Sequence, residues 1–345
     1  MTSHVAPHIE RRGVLVVHPG AIGDVLLSRP ALSLLRHQFP QHEIALLAGA
    51  AVGLLLRDAG DIGRLFPLES TCLAELFAGS DSVHVSFKRW LTRCDLALAW
   101  LEDQDGAIGQ TLRDLGVQRV CVQSPSSPHL LSEHQAARYL EVLEGKCAGE
   151  VKGSALMVPA SARAHGKQIL QALNWNTQQC LVIIHPGSGS IHKCMDASLF
   201  APVIRWLDRE GAFPVLLEGP SDGECVARVM RTLNVPVPVI RDRELSLSAG
   251  VLSHADVYLG HDSGMTHLAA ALSIPTIACF GPTNPRRWAP LGQRVSILTG
   301  EQPCRCPDWT RVECCREKVC LGIRPERVIE GCRELLMRRS TQPAL

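Results

Sequence analysis

The chain has 345 residues, 46% of them hydrophobic, and a formal net charge of +1. It is long enough for two ordinary domains with cores of their own, and too evenly charged to point to nucleic acid or a strongly acidic partner. No apolar run approaches the roughly 20 residues that span a bilayer, and the N-terminal MTSHVAPHIERRG lacks the apolar centre of a secretion signal, so the expected location is cytoplasmic. The fourteen cysteines are scattered mostly through apolar segments of a long chain, which reads as reduced core thiols.

Residues 13–18 (GVLVVH) form a continuous apolar run of strand type, and 25–39 follow with helical spacing at Val25, Leu26, Leu32, Leu35 and Phe39. Strand-like runs recur at 44–47, 65–68, 96–99 and 119–122 with helical segments between them, the alternation of a doubly wound parallel sheet. A Pro- and Ser-rich loop covers 123–132, a helix is predicted over 134–143, and 145–153 reads as a hinge. A second series starts at 181–185 and continues at 214–217, 237–240, 257–260, 276–280 and 295–298. The last predicted helix, 325–337, carries apolar Val328, Ile329, Leu335 and Leu336 and suits either domain. The expected architecture is α/β, with Rossmann-like domains at 1–150 and 151–324 and a C-terminal helix and tail at 325–345.

Both series begin alike, with VVHPGAIGD at 16–24 and IIHPGSGS at 183–190. The first loop, with Gly20, Gly23 and Asp24, is not the G-x-G-x-x-G dinucleotide fingerprint. It places a carboxylate at the mouth of a helix, where the positive helix end favours the anion, so Asp24 suits either a helix cap or a base that accepts a proton from an attacking hydroxyl. The second loop offers Ser188, Ser190 and Lys193, donors and a cation suited to phosphate oxygens, although an exposed loop with a surface lysine has the same composition. EGPSDGE at 218–224 brings acids to a strand-to-helix corner, where a ribose could be held, and FGPTNP at 280–285 forms a further turn. In HDSGMTHL, Asp262, Ser263 and Gly264 lie where a strand ends and a helix begins, a place for a cap or for an anion. Four such corners in one domain point to a nucleotide. Cys304, Cys306, Cys314, Cys315 and Cys320 crowd one segment but lack C-x-x-C knuckles, so they read as reduced thiols, with a structural metal or a disulfide as the alternative. His18, His185 and His267 lack metal-site spacing, so no catalytic metal is expected.

HPGAIGDVLLSRPALSLLRHQFP, HPGSGSIHK, EGPSDGE and GHDSGMTHLAAALSIPTIACFGPTNPRRWAPLG together resemble glycosyltransferase family 9, the ADP-heptose:lipopolysaccharide heptosyltransferases, over most of the chain and in order. The resemblance implies a GT-B fold: two Rossmann-like domains facing across a cleft, the first for the acceptor and the second for the nucleotide sugar, with the C-terminal helix crossing back to the first. It implies an inverting transferase, without metal or cofactor, that moves a heptose from ADP-heptose to a sugar hydroxyl of the lipopolysaccharide core. Asp24 then resembles the general base, with Gly20 and Gly23 in the loop near the acceptor, and Lys193 the cation on the leaving diphosphate. Ser188 is similar to the hydroxyl beside that phosphate, Asp222 or Glu224 would take the acidic donor position, and Asp262, Ser263, Gly264 and His267 match the motif around the sugar diphosphate. The implied partners are a nucleotide-sugar donor and a glycolipid or glycan acceptor; a lipid-linked acceptor would bring the protein to the cytoplasmic face of the inner membrane. Residues 100–116, WLEDQDGAIGQTLRDLG, do not resemble the acceptor region of the lipid-core enzymes. The alternatives are another nucleotide sugar for a different surface glycan, epimerisation on the same architecture, or a silent nucleotide-sugar binder; retention of Asp24 and Lys193 speaks against silence.

Overall fold

The structure is a computed structural model and describes residues 12–125, 133–144, 151–233 and 236–339. Contacts divide the chain into two units. The first holds the described residues 12–20, 31–125 and 142–144, and the second holds 21–30, 133–141, 151–233 and 236–339.

The first unit is a parallel sheet of β1 (Gly13–Val17), β2 (Glu43–Ala48), β3 (Arg64–Pro67), β4 (Cys94–Ala99) and β5 (Arg119–Val122), in the order β3-β2-β1-β4-β5. All five residues of β1, GVLVV, are buried, as expected for a central parallel strand covered on both faces. Alternation sends Leu15 and Val17 to one face, where they pack with Ala45, Leu47, Ala97, Phe87, Trp90 and Ile108.

The second unit is a parallel sheet of β6 (Leu181–His185), β7 (Phe213–Glu218), β8 (Val239–Arg241), β9 (Val257–His261), β10 (Thr276–Phe280) and β11 (Val295–Thr299), in the order β11-β10-β9-β6-β7-β8. Val182, Ile184, Leu216, Leu259 and Ile277 meet Phe200, Val203, Ile204 and Leu207 of the helix Phe200–Arg209. Val328, Cys332 and Leu335 join the same core, so the final helix, Pro325–Arg339, packs on the second unit; Arg333 also lies 5.4 Å from the Trp206 ring centroid. In both sheets the strand order reverses beside the first strand, which leaves a crevice at the carboxyl ends of β1 and β4, and of β6 and β9.

The structure changes two expectations. The single helix predicted over 25–39 is two helices, Ile22–Leu27 and Arg29–Gln38. Pro30 has no N–H to give the carbonyl of Leu26, and at the break Ser28 Oγ donates to the carbonyl of Val25 at 2.7 Å. Strand β8 begins at Val239 rather than 237, after Pro236 and Pro238, neither of which can donate to the ladder. The loop expected over 126–132 and the hinge over 145–150 lie outside the described residues. Every described cysteine is a free thiol, and among the described residues no three His, Cys, Asp or Glu side chains are grouped to hold a metal ion. No described helix is long and apolar enough to cross a membrane.

Candidate functional site

Parallel strands deliver all their outgoing loops to one edge, so residues far apart in sequence meet at the switch point of the second sheet. His185 at the end of β6 lies in register beside Gly260 of β9. The loop after β6 places Ser188 Oγ 2.7 Å from the carbonyl of Asp262, to which it donates, and Lys193 Nζ 2.8 Å from Asp262 Oδ2. The loop after β10 adds Thr283, whose hydroxyl donates to the same carboxylate oxygen at 2.7 Å. Burial alone would raise the Asp262 carboxyl, but His267, with Nε2 3.9 Å from Oδ1, and the Lys193 ammonium hold it well below the usual carboxylate range. Asp262 is therefore an anion, and it pins the ammonium of Lys193 in place. Lys193 remains 25% exposed along its side chain, with the Trp309 ring centroid 5.8 Å from Nζ, and an ammonium has three hydrogens to offer.

Beside that cation starts the helix Gly264–Ala271, eight residues long. Ser263 is its N-cap in extended backbone, and its hydroxyl accepts the Thr266 N–H at 3.4 Å. The unpaired N–H groups of the first turn and the helix dipole make this end attractive to an anion. Gly264 permits the close approach of the helix Ile22–Leu27, since a Cβ there would lie 2.9 Å from Ile22 Cβ. Gly23 does the same from the other side: a Cβ on it would fall 2.8 Å from His267 Cδ2.

Those contacts bring Asp24 into the second unit, next to His267 and Lys193. Asp24 is the third residue of its helix rather than the cap itself, and Oδ2 accepts the Ala21 N–H at 3.1 Å. Its carboxyl is raised above the ordinary range, the opposite of what a helix N-terminus alone implies. Burial is the largest cause, and the Ala21 N–H, His267 and Lys193 offset it only in part. A raised carboxyl is the better proton acceptor. Burial, with the charge of Asp24, also pushes the Tyr139 phenol up, and Arg287 shares this neighbourhood, donating to Gln135 Oε1 from Nε at 3.3 Å and from a terminal nitrogen at 3.2 Å.

The structure thus gathers Asp24, Gly23, Ser188, Lys193, Asp262, Ser263, Gly264 and His267. Of the two acids expected at the donor position in EGPSDGE, Asp222 is buried and bonded to His185 Nε2 at 2.8 Å and to the Gly219 N–H at 2.9 Å. Glu224 instead faces solvent on the helix Gly223–Thr232 and pairs with Arg228 and Arg231. Gly20 lies in the first unit, where its N–H donates to His18 Nδ1 at 3.2 Å. Sequence reasoning missed Trp309, Tyr139 and Arg287, placed Thr283 only in a turn, and noted of His185 only that it lacks metal-site spacing. Thr283 was findable as the hydroxyl in the turn after β10; Trp309 and Tyr139 carry no local signal.

A sequence model described as glycosyltransferase family 9 (heptosyltransferase) matches residues 115–317. Lipopolysaccharide heptosyltransferase 3 of Escherichia coli K12 is 33% identical over 160 residues, 45% of this chain and 46% of that protein, so the match spans about half of that relative. Among solved structures, a family 9 glycosyl transferase from Veillonella parvula has a TM-score of 0.77 at 18% identity, covering 96% of this chain and 99% of that one. The E. coli ADP-heptose lipopolysaccharide heptosyltransferase II has a TM-score of 0.75 at 18% identity, covering 95% and 99%. At such identities the likeness shows the fold.

Proposed function

Because the chain belongs to glycosyltransferase family 9, we propose that it transfers a heptose from ADP-heptose to a sugar hydroxyl of a lipopolysaccharide core acceptor, with inversion and without a metal ion. It is a glycosyltransferase of GT-B fold class. The observation that carries the reading is the Lys193 ammonium held by Asp262 at a helix N-terminus, in the same unit as the half-buried Asp24.

Asp24 takes the proton of the acceptor hydroxyl as its oxygen bonds to the anomeric carbon of the donor, and the bond from that carbon to the diphosphate oxygen breaks. The charge that grows on the leaving ADP meets the free hydrogens of Lys193 and the first-turn N–H groups of Gly264 and Met265, a preorganised positive site that serves in place of a metal. Ser188 tethers the phosphate loop to the Asp262 carbonyl. Asp262, itself an anion, supports donor binding through Lys193 rather than by touching phosphate. The first domain takes the acceptor, and a lipid-linked acceptor brings the protein to the cytoplasmic face of the inner membrane.

The test is calorimetric titration with ADP, ADP-heptose and other nucleotide sugars, followed by transfer assays to a core oligosaccharide with and without EDTA. ADP-heptose should bind and turn over, transfer should survive EDTA, and NMR of the product should show the opposite anomeric configuration to the donor. Turnover of a different nucleotide sugar but not ADP-heptose overturns the donor. Loss in EDTA overturns metal independence, and retained configuration overturns inversion.

A further inference from the structure

His185 is 3% exposed, yet both ring nitrogens are bonded outside the sheet ladder: Nε2 lies 2.8 Å from Asp222 Oδ2, and Nδ1 lies 3.3 Å from Ser263 Oγ. We propose that His185 and Asp222 are a positioning pair that fixes the hydroxyl proton of Ser263 and so holds the N-terminus of the helix Gly264–Ala271 in shape for the diphosphate of the donor. The inference rests on the reading of that helix end as the donor site.

The direction of every proton in the chain follows from chemistry. Burial alone would raise the Asp222 carboxyl, but the hydrogen bonds it accepts from His185 and from the Gly219 N–H lower it, so it is an ionised group that only accepts. An acceptor at Oδ2 requires the proton on His185 Nε2. A neutral imidazole has one N–H, so Nδ1 is then a bare lone pair and Ser263 must donate to it. Thr266 Oγ1 donates to the carbonyl of His261 and lies 3.2 Å from both Tyr258 Oη and Ser263 Oγ; the phenol O–H donates to it, and the Ser263 proton goes to the more basic ring nitrogen of His185. Ser263 Oγ is left with lone pairs only, and it accepts the Thr266 N–H. Its cap is thereby locked, and the first-turn N–H groups are what an incoming phosphate meets.

The loop above the pair is shaped to the same end. A Cβ on Gly187 would fall 1.9 Å from Asp222 Oδ1, so only glycine lets the chain pass over the carboxylate and bring Ser188 to the Asp262 carbonyl. Asp222 therefore acts beneath the donor site and not on a ribose.

His185→Gln keeps an amide N–H for Asp222 but removes the ring nitrogen that faces Ser263, because its acceptor oxygen branches from the carbon that bears the N–H and not from the Nδ1 position, and it separates positioning from mere neutralisation of a buried charge. In calorimetry with ADP, His185→Gln and Ser263→Ala should each weaken affinity by about tenfold, and the double variant by about tenfold again in total, not a hundredfold. Unchanged affinity in His185→Gln, or an additive double variant, overturns the pair. Should the variants fail to fold, NMR of wild-type protein with 15N-labelled histidine decides: the expected His185 is the neutral Nε2–H tautomer, and an Nδ1–H tautomer overturns the inference. Wild-type protein that binds no ADP overturns the donor reading and this inference with it; wild-type binding with an additive cycle overturns this inference alone.

Discussion

The tripeptide His-Pro-Gly occurs twice, at the end of the first strand of each sheet, and the two copies come to different ends. After β1, His18 Nδ1 accepts the Gly20 N–H, and the ring stands edge-on to Trp100, 5.6 Å between centroids at 68°. After β6, His185 bonds Asp222 and Ser263. The two histidines are equally buried. What differs is the strand across the switch point: β4 runs on into Trp100 and Leu101, whereas β9 runs on into Asp262 and Ser263. A strand-end tripeptide sets where the chain leaves the sheet, and the neighbouring strand decides what its histidine meets.

The largest expected effect tests the residue that follows the first copy. Asp24→Asn should lower kcat by about a thousandfold while ADP affinity stays within about twofold, as for loss of a general base. A base must be deprotonated, so wild-type kcat/KM should climb as pH rises through the raised Asp24 value and then level off. The residual rate of the variant should lose that climb. Wild-type turnover in Asp24→Asn would remove the chemical role of the first corner.

After the second copy, Lys193→Ala should cost about a hundredfold to a thousandfold in kcat/KM, the scale of removing one donor from a developing anion. A loss below about threefold would remove the chemical role of the second corner.

Two glycines of one loop sharpen the comparison further. Gly187→Ala forces a methyl against Asp222 and should destabilise by about 2 kcal/mol, read as a fall in Tm, whereas Gly189→Ala, with nothing within 4 Å of its added carbon, should stay within about 0.5 kcal/mol. Equal melting of the two variants would show that the second corner is not tightly built.

The smallest effect is expected at the first histidine. His18→Gln gives up the edge contact with Trp100, about 1 kcal/mol of stability, and should leave ADP affinity unchanged. A tenfold loss of ADP affinity would erase the distinction between the two copies.

Much of the fold was legible from pattern. Continuous apolar runs such as GVLVV and LVIIH marked the central parallel strands to within a residue or two, because strands buried on both faces have no polar side to alternate with. The HDSGMTHL corner was legible as a strand end and a capped helix, and Ser263 is that cap. The break at Ser28 was written in Pro30 but was masked by the helical spacing that continues past it. Glu224 and Asp222 were indistinguishable in EGPSDGE: two positions apart, one enters the protein and the other faces solvent with Arg228.

The sequence by itself determined the strands, the alternation, the strand-end loops and the kinds of side chain they carry, since these depend on periodicity and local backbone preference. Tertiary structure alone decided the pairings. It gave Lys193 and Thr283 to one oxygen of Asp262, and it set His185 between Asp222 and Ser263. It also raised the Asp24 carboxyl, where the local helix end argued for lowering it, because desolvation comes from everything packed around a group and not from its neighbours in the chain.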